Sequence, residues 1–426
     1  MTLRSFIKKN FPQSFVDMLI RIYHYLKLRF ENIYFCFIPY ENMRNIENSI
    51  PDIVRNIEKH NIATVKSIIF SIFSNKRLNN KKKIFLNSFI NLISIQLFNP
   101  KEYKIYYDKS LKDYRQTQVN LFTTQEWQCL KQISIAVGMF KLAYLFFEKS
   151  LYSAKRRVIK REIDKKLLYL SKIFYFGSQI TSFISILKYL RKKNICGFNL
   201  NFSTPFFDFI KHKSLVVMGP SFDPKNSDVN LFDYDIFILN NYKEKKQCSD
   251  SKQNTNKIIS YYNSEIGTWF NHNFKTLDFE FLDFLIFKDC TSNLDISQFD
   301  IRTRKKIREA PIIYPLFINS SPYMLPIMLF DLLQYEPKKI FVLGNNLYLN
   351  NKPYADNYHN RISATTDPYA FRLSFAIHGI IDNFLWLQSL YKMKLFDTDS
   401  YFATILTNSI DSYLHQMEEI WIYPYL

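Results

Sequence analysis

The stretch SFAIHGIIDNFLWLQ sets His378 between apolar residues on a segment of helical spacing, with Asp382 just beyond it. Imidazole titrates near neutrality, so a histidine can take the proton of an attacking hydroxyl. A histidine on an apolar face is also a common core residue, so His378 carries chemistry only in the right company. Candidates for that company lie upstream. KSLVVMGPSFDP reads as a strand, then Gly219, Pro220 and Ser221. Gly219 lets a backbone approach a ligand, Ser221 brings a hydroxyl, and amides at a following helix start favour a phosphate. A plain strand-to-helix turn has the same residues. Asn240 ends DIFILN and Asn263 ends IISYYN. An amide both donates and accepts, which suits a ribose or a pyrimidine edge; turn-forming Asn is the bland alternative.

Two further segments belong with these. Ser320 and Ser321 stand where a helix begins, as caps or as ligand contacts. The run KIFVLG ends at Gly344, and a polar, aromatic loop with Tyr348 and Tyr354 follows. Phenol hydroxyls are neutral donors suited to a leaving phosphate. In a chain with 29 Tyr, surface aromatics have the same appearance.

The elements that must position these groups differ between the two halves. Residues 1–210 show apolar spacings of three and four, as in FVDMLIRIYHYLKLRF, and read as an all-α domain, a bundle or a short solenoid. QISIAVGMFKLAYLFFEKSLYSAKRRV sets Ala136, Gly138, Ala143 and Ala154 among aromatics, at spacings similar to a tetratricopeptide helix pair. Residues 211–426 alternate short apolar runs with helical stretches, which predicts an α/β domain with a mostly parallel sheet. Within it, LDFEFLDFLIF reads as helical. RTRKKIRE reads as a solvated helix face or an attractor of anions.

Charge follows the same division. Residues 1–213 hold 37 Lys and Arg against 14 Asp and Glu, a balance of +23; residues 214–426 hold 20 against 24, a balance of −4. The basic half predicts attraction to anionic lipid headgroups or glycolipids, or simply a basic solvated surface. No RNP1, KH or zinc-finger pattern supports nucleic acid as the partner. The few Gly and abundant Lys, Asn, Ile, Phe and Tyr are expected of an AT-rich bacterial genome. Five scattered cysteines without a CxxC pair predict neither a disulfide framework nor a structural zinc. MTLRSFIKKNFPQSF lacks the uninterrupted apolar core of a signal peptide, and no run reaches spanning length, so a cytoplasmic protein is expected.

The order and spacing of these pieces resemble the bacterial sialyltransferases of glycosyltransferase family 42. Their GNGPSL-type turn corresponds to VMGPSF, their F-x-x-N strand end to FILN at Asn240, and their YN pair to Tyr262-Asn263. Their TSG-x-YM helix start corresponds to Asn319-Ser320-Ser321-Pro322-Tyr323-Met324. Their K-x-I-Y-x-x-G-x-D-x-Y strand and loop corresponds to KKIFVLGNNLY, with Tyr354 as a second tyrosine. Their His before a helix that ends in YK corresponds to His378. The resemblance covers about 214–410.

It implies a Rossmann-like, GT-A-like variant domain and an inverting transfer from CMP-sialic acid to a surface glycan, with neither cofactor nor metal. It also implies roles. Gly219, Pro220, Ser221, Asn240, Asn263, Ser320, Ser321, Gly344 and Asn346 would hold the donor nucleotide. Tyr348 and Tyr354 would bind the leaving phosphate, and His378 would be the general base. The acceptor would be lipooligosaccharide or capsule, met at the inner membrane face through the basic half. Four positions depart from the pattern. Val217 and Met218 replace Gly and Asn of the turn, Ile238 replaces an Arg, and Asn346 replaces an Asp. They leave open another CMP-activated acid sugar, such as Kdo or pseudaminic acid, or a scaffold without activity.

Overall fold

The computed structural model describes residues 84, 88, 92, 100–155, 204–222, 229–241, 257–262, 281–288, 299–311, 313, 317, 320–350, 371, 374, 375 and 378–425. By its internal contacts the chain divides into two compact units rather than at one point in sequence. One is Met1–Ile159 with Arg361–Ile377 and Ile422–Leu426; the other is Lys160–Asn360 with His378–Trp421.

The first unit contains helices α1 (Pro100–Gln116), α2 (Thr124–Ala136) and α3 (Phe140–Lys155). Helix α2 starts in a capping box. The Thr123 amide donates to Glu126 Oε2 at 2.7 Å, and the Glu126 amide donates to Thr123 Oγ1 at 3.2 Å. It ends at Gly138, whose φ is 82°, with Met139 N donating to Ser134 O at 2.8 Å. That left-handed stop turns the chain straight into α3. Trp127, Leu130, Phe140, Leu142, Ala143 and Phe146 are fully buried between the helices. The pair expected from the small and aromatic spacing is therefore present over 124–155. The next stretch, through residue 193, lies outside the described residues. Part of the basic excess is internal. Lys149 Nζ donates to Thr117 O at 2.6 Å and lies 5.6 Å from the Trp127 ring, and burial lowers its pKa. Lys131 is fully buried, with Nζ 5.6 Å from the Phe147 ring.

The second unit is built on a seven-stranded, wholly parallel sheet. Its strands are β1 (Ser214–Met218), β2 (Ile236–Asn240), β3 (Lys257–Tyr262), β4 (Phe284–Phe287), β5 (Ile307–Glu309), β6 (Lys339–Leu343) and β7 (Asp397–Thr398). Their order is β5-β4-β3-β2-β1-β6-β7. Register is continuous: Val216 pairs with Phe237 on one side and Phe341 on the other. SLVVM, IFILN and KIFVL are near-continuous apolar runs, as strands covered on both faces require. Helices α4 (Thr204–Ile210), α5 (Ile301–Arg304), α6 (Met324–Leu333), α7 (Ile380–Lys392), α8 (Ser400–Thr407) and α9 (Ile410–Trp421) accompany the sheet. Fully burying each Leu, Ile, Val or Phe of the core contributes about 1.5–3 kcal/mol.

Two expectations are corrected here. The end of LDFEFLDFLIF is strand β4, not helix; the Asp283 carboxylate accepts from Ile258 N at 2.8 Å and locks its start beside β3. A short apolar run carries no periodicity that separates helix from buried strand. RTRKKIRE is one helical turn followed by strand β5. Arg308 in it faces inward: Nη1 meets Asp331 Oδ2 at 2.5 Å and Nη2 meets Asp331 Oδ1 at 3.1 Å and Tyr335 Oη at 2.7 Å. Tyr261 Oη donates to the same Asp331 Oδ2 at 2.7 Å.

Burial pushes the Tyr261 and Tyr413 phenols well above their ordinary range, and the Asp331 charge adds to the rise for Tyr261. Above about pH 10 the unfolded chain releases these protons while the folded chain keeps them. Stability is then whole below that pH and falls as pH rises past it, by up to about 1.4 kcal/mol per pH unit for each phenol. Thermal melts from pH 8 to 11 are expected to show this fall. Tyr413→Phe should make the alkaline slope shallower; an unchanged slope would refute the assignment.

Candidate functional site

The chain lays β1 to β5 outward on one side and then places β6 and β7 on the other side of β1. Ligands of open parallel sheets gather beyond the carboxyl ends of strands at such a reversal. Here the reversal is between β1 and β6, and the turns after both strands carry glycine. Gly219 N donates to Leu343 O at 2.6 Å, and Ser221 N to Gly344 O at 3.0 Å. A Cβ on Gly219 would lie 2.3 Å from Gly344 O, and one on Gly344 would lie 2.3 Å from Phe222 Cα. The two turns interlock, and only glycine fits. Ser221 spends its hydroxyl on Gly344 O at 2.6 Å, so its first role is to fasten the turns. Pro220 is half-buried between them in sequence.

Beyond β6 the chain takes an uncommon path. Leu347 and Tyr348 have φ of 42° and 65°. Consecutive bulky residues in the left-handed region cost about 1–3 kcal/mol each and persist only where neighbours hold them. Asn345 Oδ1 accepts from Leu347 N at 3.1 Å, and Asn346 Oδ1 accepts from Tyr348 N at 3.0 Å. Tyr413 Oη donates to Leu347 O at 2.9 Å, and Trp421 Nε1 donates to Tyr348 O at 2.7 Å. Helix α9 thereby clamps the loop. Asn346 is buried, and its Nδ2 meets no acceptor among the described residues.

The clamp fixes the Tyr348 ring against Tyr323. Their centroids are 5.2 Å apart, and Tyr323 is 5.0 Å from the His378 imidazole. Tyr348 and His378, expected as site residues, are thus joined through Tyr323. His378 is half-buried. Its turn is set by Gly379, whose φ is 58° and whose Cβ would stand 2.5 Å from Ser320 Oγ. Asn383 on α7 ties the pieces together. Its Nδ2 donates to the carbonyl of His378 and, at 3.1 Å, to that of Gly379, while its Oδ1 accepts from Tyr323 N at 2.8 Å.

Ser320 and Ser321 do not cap α6. The cap position is Tyr323, which makes no side-chain capping bond. Ser320, buried, donates to Asp382 Oδ2 at 3.4 Å. Ser321 Oγ accepts from Lys288 Nζ at 3.3 Å, and Lys288 also donates to Pro322 O at 3.2 Å. Asn240 lies half-buried at the carboxyl end of β2, opposite Tyr261. Asn263 and Tyr354 fall outside the described residues.

Sequence reasoning passed over Lys288, Tyr323 and Asn383. Lys288 follows an apolar run at a strand's carboxyl end, a signal lost among so many lysines. Tyr323 was visible only as part of a longer match, and Asn383 looks like one more helical amide. Together the arrangement offers a half-buried imidazole, two phenols, an amide and a buried ammonium along the carboxyl edge of a parallel sheet. It can move a proton and hold an anion. Among the described residues, no group of three His, Cys, Asp or Glu side chains is placed to hold a metal. No family model, curated protein or solved structure matches the chain.

Proposed function

We propose that the chain is an inverting, metal-independent glycosyltransferase. It would move sialic acid from CMP-sialic acid to a hydroxyl of a bacterial surface glycan, lipooligosaccharide or capsule. The observation that carries this reading is the convergence of His378, Tyr323 and Tyr348 in one cluster, in the sequence order that resembles family 42. The parallel sheet supports a Rossmann-like donor domain, with a basic helical half before it.

In this reading His378 takes the acceptor proton as the acceptor oxygen bonds to the anomeric carbon. The bond from that carbon to the phosphate oxygen breaks, and its electron pair leaves with CMP. Positive charge spreads onto the ring oxygen in an oxocarbenium-like state. Tyr348, with Tyr354 by resemblance, would donate to the departing phosphate. The glycine turns at Gly219 and Gly344, with Asn240, Asn263, Ser320 and Ser321, would seat the nucleotide. Asn346, where the family has Asp, puts an amide in place of a carboxylate; on that departure the second reading is a different CMP-activated acid sugar, such as Kdo or pseudaminic acid.

The basic half would hold the enzyme peripherally at the inner membrane face by charge and snorkelling side chains. Among the described residues no helix is long and apolar enough to cross a membrane.

The test is calorimetric binding and thermal shift with CMP, UMP, GMP and AMP, in EDTA. CMP alone should stabilise the chain, by about 2.7 kcal/mol at one hundred times its Kd. No response to any nucleotide would overturn the reading and leave a scaffold protein.

A further inference from the structure

We infer that Trp421, Tyr413 and Tyr401 are positioning residues for Tyr348. Three aromatic donors from helices α8 and α9 hold the strained loop after β6 in the one shape that keeps Tyr348 beside Tyr323 and His378. Tyr348 meets a departing phosphate only in the glycosyl-transfer reading, on which this inference rests.

The loop is held at every polar group of its backbone. Leu347 N donates to Asn345 Oδ1 at 3.1 Å, Tyr348 N to Asn346 Oδ1 at 3.0 Å, and Leu349 N to Asn346 O at 2.8 Å. The three carbonyls accept from side chains of distant helices. Tyr413 Oη donates to Leu347 O at 2.9 Å, Trp421 Nε1 to Tyr348 O at 2.7 Å, and Tyr401 Oη to Leu349 O at 3.0 Å. A surface turn leaves such carbonyls to water or to its own amides. Here three consecutive ones each take an aromatic donor. Two of the donors are themselves fixed: Tyr413 and Trp421 are buried, and the Tyr413 ring stacks on Phe384 at 4.2 Å.

Strain points the same way. Leu347 and Tyr348 stand in the left-handed region, with φ of 42° and 65°. Glycine or asparagine would make the same turn at less cost. Bulky residues are kept in such a conformation where their surroundings over-determine it, and such places cluster at active sites. The destination is the third observation. The strained residue is Tyr348, beyond β6 at the reversal of the sheet, and its ring lies 5.2 Å from Tyr323, itself 5.0 Å from His378. Trp421 grips the carbonyl of Tyr348 itself and so bears on it most directly.

The experiment is a double-mutant cycle. Trp421→Phe removes one donor and keeps an aromatic ring; Tyr348→Phe removes the phenol hydroxyl; the third variant carries both changes. CMP and cytidine are the probes, read by calorimetry, with hydrogen exchange of the 344–350 peptide followed in each variant. Trp421→Phe should lose about ten-fold in CMP affinity with cytidine unchanged, as Tyr348→Phe does. The double variant should lose no more than either single one, because a misplaced phenol and a missing phenol are equivalent. Trp421→Phe that binds CMP like wild type overturns the inference and leaves the glycosyl-transfer reading standing. So do additive losses in the double variant, or a loss of cytidine binding as large as that of CMP, either of which marks a general loosening. Wild type that binds no nucleotide overturns the reading instead, and hydrogen exchange then decides the clamp by itself. Faster exchange confined to 344–350 in Trp421→Phe upholds Trp421 as the group that holds Tyr348 in place; exchange equal to wild type overturns it.

Discussion

His378→Ala and His378→Asn are expected to lower turnover by about 10²–10⁴-fold with CMP affinity retained. The imidazole is half-buried, so its loss removes little core. The bonds that shape its turn go to the main chain: Asn383 grips the carbonyls of His378 and Gly379, not the ring. The backbone path set by Gly379 therefore survives truncation, and the melting temperature should move little. What disappears is the group able to take a proton. Turnover is measured as CMP release with a sialylated-glycan precursor as acceptor, beside a melting curve for each variant. A variant that turns over like wild type would end the assignment of His378 as base. A variant that loses turnover together with ten degrees of melting temperature would show the ring to be structural.

Asp331→Ala is expected to destabilise the chain by about 3–5 kcal/mol, the cost of leaving a buried charge uncompensated. Asp331 is fully buried, and its two oxygens hold the Arg308 fork and the Tyr261 hydroxyl. The guanidinium is also packed 4.1 Å from the Phe206 ring, and the Arg308 side chain is only 7% exposed. Burial alone would lower the Arg308 pKa, but Asp331 and the two phenols outweigh it and raise it, so the guanidinium stays charged. Removing both charges should hurt less than removing one. Arg308→Met with Asp331→Leu is expected to cost clearly less than the sum of the single changes, because neither charge is then stranded. Urea unfolding of the two single variants and the double variant decides it. A cost below about 1 kcal/mol for Asp331→Ala would mean that water reaches Arg308, contrary to its burial.

Several features were open to a reading of residues alone. SLVVM, IFILN and KIFVL announce buried parallel strands because a strand covered on both faces must be apolar at every position. The aromatic and small residues over 127–155 announce a close helix pair for the same local reason. Gly219 and Gly344 announce turns, and the charge division between the halves is plain arithmetic. Where local pattern is ambiguous, it failed. FLIF is too short to show a period, and the Arg308 in a basic run looks solvated until Asp331 is brought to it from helix α6.

The tertiary structure decided the rest. Only the strand order makes β1 and β6 neighbours and shows why both of their turns need glycine. Only packing brings Trp421 and Tyr413 onto Leu347 and Tyr348, holding a backbone conformation that no sequence pattern encodes. Lys288 and Ser321, and likewise Tyr323 and His378, meet across long stretches of chain, by contacts that depend on every element between them being in place. The residues able to do chemistry were legible one at a time. Their convergence was not, because distance in space is set by the whole sheet and its covering helices.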